Sequence, residues 1–375
     1  MLSLQKSLHS RNHPGTFDVR HLHQVLVGAS VGDAITGMAF NTQRWLHPRY
    51  NSSIYVALPD ESVHGRVWSL DDVGRELVTA PVLYHASYGL AAVRRVIERR
   101  MGPIVLMYHN VTPAHFFERI DPGFAIGLDL GRREVRELRS HFVLSLAASE
   151  FSANELREAG HRNVHVLPLG LDPYRLTRQP MNAETEIRLR DRFPEGYVVA
   201  VAQLLPHKAV EDVITATALL RTLSGRHVGL VVVGTPRSTS YSASLVDLAS
   251  RLLGDAAHFT GPTTDQDLAT VMAGADCYVS ASRHEGLGIP LLEAMAMGVP
   301  AVVRAAGAVE QTAAGAAVVV DEMAGALELA EAIDGVLSSA DLRAQLRVRG
   351  RQRVTELELQ KTMTTFDRLL LEVGL

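Results

Sequence analysis

Two glutamates separated by seven residues, Glu285 and Glu293, flank a turn that contains Gly286 and Gly288. A mostly apolar run before the turn predicts a buried strand, and a run of small residues at 291–297 predicts a helix after it. Glycines let the backbone approach a bound group, and the free amides at the start of a helix favour an anion. The pattern therefore predicts a diphosphate site at the turn, with two carboxylates that can bind hydroxyl groups at different depths.

The frame from Ser282 to Pro300 reads Ser-x-x-Glu-Gly-Leu-Gly-Ile-Pro-Leu-Leu-Glu-Ala-Met-Ala-x-Gly-x-Pro. It resembles the Glu-x7-Glu signature of retaining glycosyltransferases of family 4. A bare pair of glutamates at this spacing would more simply be two solvated side chains on a helix, but the glycines and prolines in register argue against that reading. The resemblance implies an α/β protein of the GT-B fold, in which two Rossmann-like domains with parallel sheets face a central cleft.

The length of 375 residues favours two domains, because one hydrophobic core rarely extends so far. The resemblance implies an N-terminal acceptor-binding domain at 1–173, which the C-terminal helix at 358–375 joins. It also implies a C-terminal domain at 174–357 that binds a nucleotide-sugar donor. The polar stretch at 173–194 is expected to be the linker and the lead-in to the second domain.

Bulk composition restricts the partners and the compartment. A formal net charge of −4 gives no general attraction to nucleic acid, so nucleic acid is not an expected partner. The single cysteine, Cys277, excludes an intramolecular disulfide and suits a reducing cytoplasm. Residues 1–20 lack the apolar run of a signal peptide, and no stretch approaches eighteen apolar residues, so we expect a cytoplasmic protein.

Two arginine-rich stretches, at 94–100 and 132–139, have two readings. The interleaved glutamates favour solvated helix faces, while an anionic acceptor or peripheral contact with the inner face of a membrane is the alternative. The sequence does not choose between them. The only Asp-x-Asp motif, Asp265 to Asp267, falls at the start of a predicted helix, where acidic residues suit the helix dipole. We therefore expect no metal site and metal-independent activity.

The first half of the chain carries one histidine in a favourable place. A buried strand at 103–110 delivers His109 at its carboxyl end, where open α/β sheets bind ligands. The resemblance implies that His109 lies close to the donor sugar and donates or accepts a hydrogen bond there. The loop at 28–33 follows the first predicted strand, at 21–27, and the resemblance places its Gly32 and Asp33 beside the donor phosphates. A plain surface turn is the alternative for this loop.

The second half opens with a strand at 197–203, followed by Lys208. The family usually reads Gly-Arg-x-x-x-x-Lys-Gly here, with the Arg and Lys holding the donor diphosphate. Lys208 is in register, but Gln203 replaces the arginine and Ala209 replaces the second glycine. Gln203 can donate hydrogen bonds without bringing a charge, so Lys208 and the turn amides must neutralise more of the leaving group.

Sugar transfer from a nucleotide requires neutralisation of the leaving phosphate while positive charge develops at the anomeric carbon. No carboxylate pair resembles that of a double-displacement glycosidase, so the front-face, retaining mechanism that the resemblance implies is favoured. The implied catalytic residues are His109, Lys208 and Glu285. The implied donor site consists of Gly32, Asp33, Gln203, Lys208, Gly286, Leu287, Gly288 and Glu293. Within it Glu285 would bind sugar hydroxyls and Glu293 the ribose hydroxyls.

The expected reaction moves a hexose from a UDP-sugar or GDP-mannose to a hydroxyl of an unidentified acceptor, a glycan, lipid-linked or small molecule, with no other cofactor. A sugar-nucleotide epimerase or a phosphorolytic enzyme on the same fold stays open. So does a catalytically inactive nucleotide-sugar-binding relative, which the replacement at Gln203 keeps under consideration. The acceptor, the base and sugar of the donor, and the oligomeric state are not readable from the sequence.

Overall fold

The computed structural model describes residues 20–72, 75–236 and 239–375. Predictions for the first 19 residues lie outside these ranges. The strands of the first half are β1 (Arg20–His21), β2 (His23–Ala29), β3 (Tyr50–Asn51), β4 (Ile54–Pro59), β5 (Trp68–Ser69), β6 (Val82–Ala86), β7 (Ile104–Tyr108), β8 (Phe142–Ala147) and β9 (Val164–Val166). Its helices are α1 (Ala34–Leu46), α2 (Arg75–Thr79), α3 (Ala91–Glu98), α4 (Pro122–Glu137) and α5 (Glu150–Glu158).

The second half repeats the alternation of strand and helix. Its strands are β10 (Tyr197–Val201), β11 (Gly229–Val233), β12 (Ala257–Gly261), β13 (Cys277–Ser280), β14 (Ala301–Arg304) and β15 (Val318–Val320). Its helices are α6 (Ala183–Arg192), α7 (Val210–Ser224), α8 (Thr239–Leu253), α9 (Asp265–Ala273), α10 (Ile289–Met297), α11 (Val309–Ala313), α12 (Ala326–Ser338), α13 (Ala340–Glu356) and α14 (Leu359–Glu372).

These strands form two parallel sheets. Seven strands of the first half pair in the order β5-β4-β2-β6-β7-β8-β9, and six of the second pair in the order β12-β11-β10-β13-β14-β15. The short strands β1 and β3 pair separately. Parallel strands that helices cover on both faces read as continuous apolar runs, and β7 and β11 are buried at every position. Ligands of such sheets bind at the carboxyl ends of the strands.

Two expectations for the connecting segments need correction. The first long strand extends to Ala29, since Gly28 pairs with Leu58, so the loop predicted from residue 28 begins two residues later. The stretch at 173–194 is more than a linker, because it contains the ten-residue helix α6. The polar composition concealed this helix, whose buried residues are only Thr185 and Leu189.

The C-terminal helix α14 contacts residues of the first half. Nε1 of Trp45 donates to a carboxylate oxygen of Asp367 over 3.0 Å, and Arg49 pairs with the same carboxylate at 2.7 Å. Phe366 beside it is fully buried. The chain therefore passes between the two halves twice, while the exact domain boundaries stay a prediction. None of the helices in the described ranges has the length and apolar character needed to cross a lipid bilayer.

Candidate active site

The turn between β13 and α10 has the geometry that its glycines predict. Gly288 precedes the helix with φ +86°, and Gly298 follows it with φ +73°, a backbone conformation that residues with a side chain rarely adopt. Within the described part of the chain, the amides of Gly286, Leu287 and Gly288 donate no hydrogen bond. Three free N–H groups at a helix N-terminus are suited to an anion such as phosphate.

Lys208 and Glu285 meet at this turn. Nζ of Lys208 lies 2.7 Å from Oε1 of Glu285, and both side chains are largely buried. Lys208 ends a 3₁₀ turn, and the next residue, Ala209, has φ +45° in the left-handed region. Glycine suits such a conformation better than alanine, which explains why this position usually carries glycine in the family that the sequence resembles. The structure thus brings together two residues that the sequence assigned to one site.

Gly307 holds the main chain of Glu285 in place. The amide of Ala308 donates to the carbonyl oxygen of Glu285 over 2.9 Å. A Cβ on Gly307, where φ is +58°, would lie 2.4 Å from that oxygen. Thr312 supports the next part of the turn, because its Oγ1 donates to the carbonyl oxygen of Leu287 over 2.7 Å. The backbone of the turn is therefore fixed from the loop after β14 and from α11, which follows that loop.

Glu293 is buried on α10 and pairs with an arginine that the sequence analysis missed. Its Oε1 accepts a hydrogen bond of 2.5 Å from Nε of Arg175, which also pairs with Asp265. Burial raises the pKa of the Glu293 carboxyl, and Arg175 opposes that rise. Arg175 lies 118 positions before Glu293, and no sequence pattern marked it.

His109 lies at the carboxyl end of β7, as predicted, and contacts a second histidine. Its Nε2 is 2.8 Å from Nδ1 of His85, and the planes of the two rings are within 8° of each other, with centroids 5.1 Å apart. Burial lowers the pKa of His109 to about 3, and it also lowers the pKa of His85. A Cβ on Gly286 would lie 2.8 Å from the carbonyl oxygen of His109, so the strand end and the glycine turn are neighbours.

Further contacts join the two halves at the same turn. Nε2 of His284 is 2.8 Å from Oδ1 of Asn110, the residue after His109. The hydroxyl of Ser149, at the start of α5, donates to the carbonyl oxygen of Gly286 over 2.7 Å. Sequence reasoning did not identify these residues, because each belongs to a different element and only the folded chain brings them together. The turn is thus held from both halves of the molecule.

The other predicted donor residues are placed differently. The Asp33 carboxylate caps α1, where it accepts hydrogen bonds of 2.8 Å from the amide and the hydroxyl of Thr36. Gly32 has φ +83° and open space around it. Gln203 is partly exposed, and its side chain makes no hydrogen bond in the described ranges. No hydrogen bond or ion pair between described residues links these three to the turn, so their role in donor binding stays a prediction.

The carboxylates of the Asp-x-Asp motif have protein partners. Asp265 pairs with Arg175, and Asp267 accepts hydrogen bonds from Thr264, Thr185 and Asn182 at the start of α9. The residues therefore begin a helix, as the sequence predicted. Elsewhere in the described part of the chain, no group of three or more His, Cys, Asp or Glu side chains has a metal-binding arrangement.

Two parallel α/β sheets with a glycine turn at their junction define a GT-B fold, and solved structures share it. The structure of Anabaena HepE in complex with UDP and glucose matches with a TM-score of 0.75 and 16% sequence identity. The match covers 94% of this chain and 100% of that one. The α/β GT-B fold expected from the sequence is therefore confirmed.

Sequence comparisons show a more specific similarity for the second half of the chain. Residues 186–353 match the family model described as glycosyl transferases group 1. D-inositol 3-phosphate glycosyltransferase of Kineococcus radiotolerans is 30% identical over 176 residues, which are 45% of this chain and 40% of that protein. Mannosylfructose-phosphate synthase of Agrobacterium fabrum is 31% identical over 142 residues, 36% of this chain and 31% of that protein. The matches thus span less than half of either relative.

Proposed function

We propose that this protein is a retaining glycosyltransferase that moves a hexose from a nucleotide-diphosphate sugar to a hydroxyl of an acceptor. The observation that carries the proposal is the position of Lys208 beside Glu285 at a turn with three free amides. A cation and aligned N–H groups suit a diphosphate, and a neighbouring carboxylate suits sugar hydroxyls. The match of residues 186–353 to glycosyl transferases group 1 supports the same reading.

In the proposed reaction, the bond between the anomeric carbon and the diphosphate oxygen breaks. The acceptor oxygen forms its bond on the same face of the sugar, and its proton passes to the leaving phosphate. Lys208 and the amides of Gly286, Leu287 and Gly288 stabilise the negative charge on that phosphate. Binding of the phosphate exchanges the Glu285 partner of Lys208 for a phosphate oxygen, which leaves Glu285 able to accept hydrogen bonds from sugar hydroxyls.

The two halves take different substrates in this proposal. The second half binds the donor, a UDP-sugar or GDP-mannose, with Glu293 accepting hydrogen bonds from the ribose hydroxyls. The first half binds the acceptor beside His109. We further propose that turnover needs no metal, since Asp265 and Asp267 are already engaged by Arg175 and by the start of α9. UDP and glucose bound to HepE are consistent with a donor of this type.

Calorimetric titration with UDP, GDP and ADP in the presence of EDTA tests the donor proposal. We expect selective binding of one nucleotide, and tighter or equal binding of the matching sugar nucleotide. Absence of binding to all three would overturn it. Turnover with an acceptor panel follows, and the anomeric configuration of the product, read by proton NMR, tests retention. Activity that disappears with EDTA and returns with manganese would contradict metal independence.

A further inference from the structure

A chain of hydrogen bonds runs behind His109 into the core of the first half. Nδ1 of His85 lies 2.8 Å from Nε2 of His109, and Nε2 of His85 lies 2.9 Å from Oε1 of Gln24. Nε2 of Gln24 donates to the carbonyl oxygen of Ala39 over 3.1 Å. Gln24 on β2 and His85 on β6 are fully buried, whereas His109 after β7 is partly exposed. These hydrogen bonds thus connect the buried carbonyl oxygen of Ala39 with the side chain of His109 at the candidate active site.

The carbonyl group of Ala39 fixes the direction of every hydrogen bond in this series. A carbonyl oxygen only accepts, so the NH₂ group of Gln24 faces Ala39 and its Oε1 faces His85. Oε1 also only accepts, so Nε2 of His85 carries a hydrogen. A neutral imidazole has one N–H, so Nδ1 of His85 is bare and accepts from Nε2–H of His109. Nδ1 of His109 is then bare as well.

We propose that Gln24 and His85 are positioning residues that hold His109 protonated at Nε2, so that its Nδ1 accepts a hydrogen bond from a hydroxyl of a bound sugar substrate. The inference rests on the proposed function and decides between donation and acceptance, which the sequence left open. In the described ranges, Nδ1 of His109 has no hydrogen-bond partner. The main chain of His109 adjoins Gly286, so this residue lies beside the proposed diphosphate site.

The alternative tautomer of His109 is disfavoured at each link. A hydrogen on Nδ1 of His109 would leave two bare nitrogens facing each other across 2.8 Å. Changing the tautomer of His85 or turning over the amide of Gln24 would only move the mismatch to the next buried hydrogen bond. Losing one hydrogen bond there reduces the population of the alternative tautomer roughly tenfold or more. Because burial lowers the pKa of His109 to about 3, the ring stays neutral and is a weak base. Its role is therefore acceptance of a hydrogen bond, while the leaving phosphate takes the proton of the acceptor.

NMR of the full-length protein, labelled with ¹⁵N in its histidines, tests the tautomer without any assay of activity. Long-range proton–nitrogen correlations distinguish a bare ring nitrogen from a protonated one, and the signals are assigned with His85→Phe and His109→Phe. We expect both histidines to carry hydrogen on Nε2 at pH 6 and at pH 8. A hydrogen on Nδ1 of His109, or rapid exchange between the two tautomers, would overturn the proposal even if glycosyl transfer is established.

Substitutions of His85 test the consequence for binding. His85→Phe retains a ring but removes the acceptor, so the buried N–H of His109 loses its partner and the hydrogen shifts to Nδ1. We expect the affinity for the sugar nucleotide to fall about tenfold relative to that for the nucleoside diphosphate alone. His85→Asn, whose Oδ1 can accept from His109, should recover most of this difference. Equal weakening of both ligands would indicate a structural effect and contradict the proposal.

His161 offers a matched control. It is another buried histidine of the first half with two partners, Ser145 and the carbonyl oxygen of Val135, and it lies outside the chain from Gln24 to His109. His161→Phe should lower stability without changing the ratio of the two affinities. If His85→Phe instead leaves that ratio unchanged and raises only the KM of the acceptor, the bound hydroxyl belongs to the acceptor. If neither quantity changes, Nδ1 of His109 binds no substrate hydroxyl.

Discussion

Arg175, in the segment that connects the two sheets, donates its Nε to Oε1 of Glu293 over 2.5 Å. The Glu293 side chain is only 2% exposed, whereas that of Arg175 is 37% exposed and has a second partner in Asp265. Burial raises the pKa of Glu293 above its ordinary value of 4.5 despite the arginine. The ionised carboxylate is therefore held at a cost in stability, which is typical of groups that serve binding.

Replacing this carboxylate with an amide should change how stability depends on pH. Because the pKa of Glu293 is raised in the folded state, the native protein loses stability as pH rises from about 4.5 through that raised value. Glu293→Gln removes this loss, and Asp265 still neutralises Arg175. The variant should gain thermal stability relative to the wild type as pH rises from 4 to 8, as measured by unfolding scans. An equal loss of stability at every pH would contradict this expectation.

The same variant should bind nucleotides less well. If Glu293 accepts hydrogen bonds from ribose hydroxyls, Glu293→Gln should weaken binding of the preferred nucleoside diphosphate roughly tenfold, because hydrogen bonds to a charged group are lost. Inorganic diphosphate has no ribose, so calorimetry should show unchanged affinity for it. A parallel loss for both ligands would assign Glu293 a role in shaping the site rather than in contacting ribose.

Lys208 should matter most for turnover. Lys208→Met keeps much of the side-chain length but removes the charge that faces the leaving phosphate in the proposed reaction, and kcat/KM should fall about 100- to 1000-fold. The exposed Lys361 on α14 supplies the control, and Lys361→Met should leave the kinetics unchanged. Release of nucleoside diphosphate with a saturating acceptor measures both. Wild-type kinetics in Lys208→Met would remove this residue from the mechanism.

Alanine substitutions at Gly307 and Gly315 distinguish the effect of backbone strain on stability from damage to the candidate active site. Both have positive φ, +58° and +77°, so alanine at either position should cost roughly 1–2 kcal/mol of stability. Only Gly307→Ala also brings a Cβ within 2.4 Å of the carbonyl oxygen of Glu285. We therefore expect chemical denaturation to show a loss in both variants, with the larger loss and the fall in kcat in Gly307→Ala. Equal activity in the two variants would show that the Glu285 main chain tolerates displacement.

Cys277 should be unreactive in the folded protein. It is fully buried in β13, and burial raises the pKa of its thiol to about 12. At pH 8 the fraction of Cys277 in the reactive thiolate form would then be on the order of one in ten thousand, and burial further limits access of a reagent to it. A chromogenic disulfide reagent should label the native protein only at the rate of unfolding, and label guanidine-denatured protein at once. Rapid labelling of the native protein would contradict the packing described for β13.

Local patterns predicted much of the fold. The strands predicted at 103–110 and 197–203 are present as β7 and β10, and α10 ends at Gly298, where glycine accommodates the left-handed conformation. These features depend on neighbours within a few positions, which the sequence displays directly. The helix α6 was missed because its exposed faces are almost wholly polar, although Asn182 caps it in an ordinary way.

The candidate site was predicted only in part, for a different reason. Lys208 and Glu285 belong to recognisable motifs, so their types and spacing indicated a common site. The partners of Glu293 and His284 lie 118 and 174 positions away, and the partner of His109 is one histidine among sixteen. Such contacts arise from the crossing of strands and loops in the fold, and a single sequence carries no local signal for them.

The chain passes between the two halves twice, and this restricts how the halves can move relative to each other. One passage includes Arg175, and the other leads into α14, which Asp367 ties to Trp45. A body tethered to another at two points swings most easily about the line through those points, whereas sliding and free rotation are restrained. The contacts next to the tethers, among them the one between Arg175 and Glu293, move least during such a swing. The surroundings of Glu293 would then keep their shape while the far rim of the cleft moves.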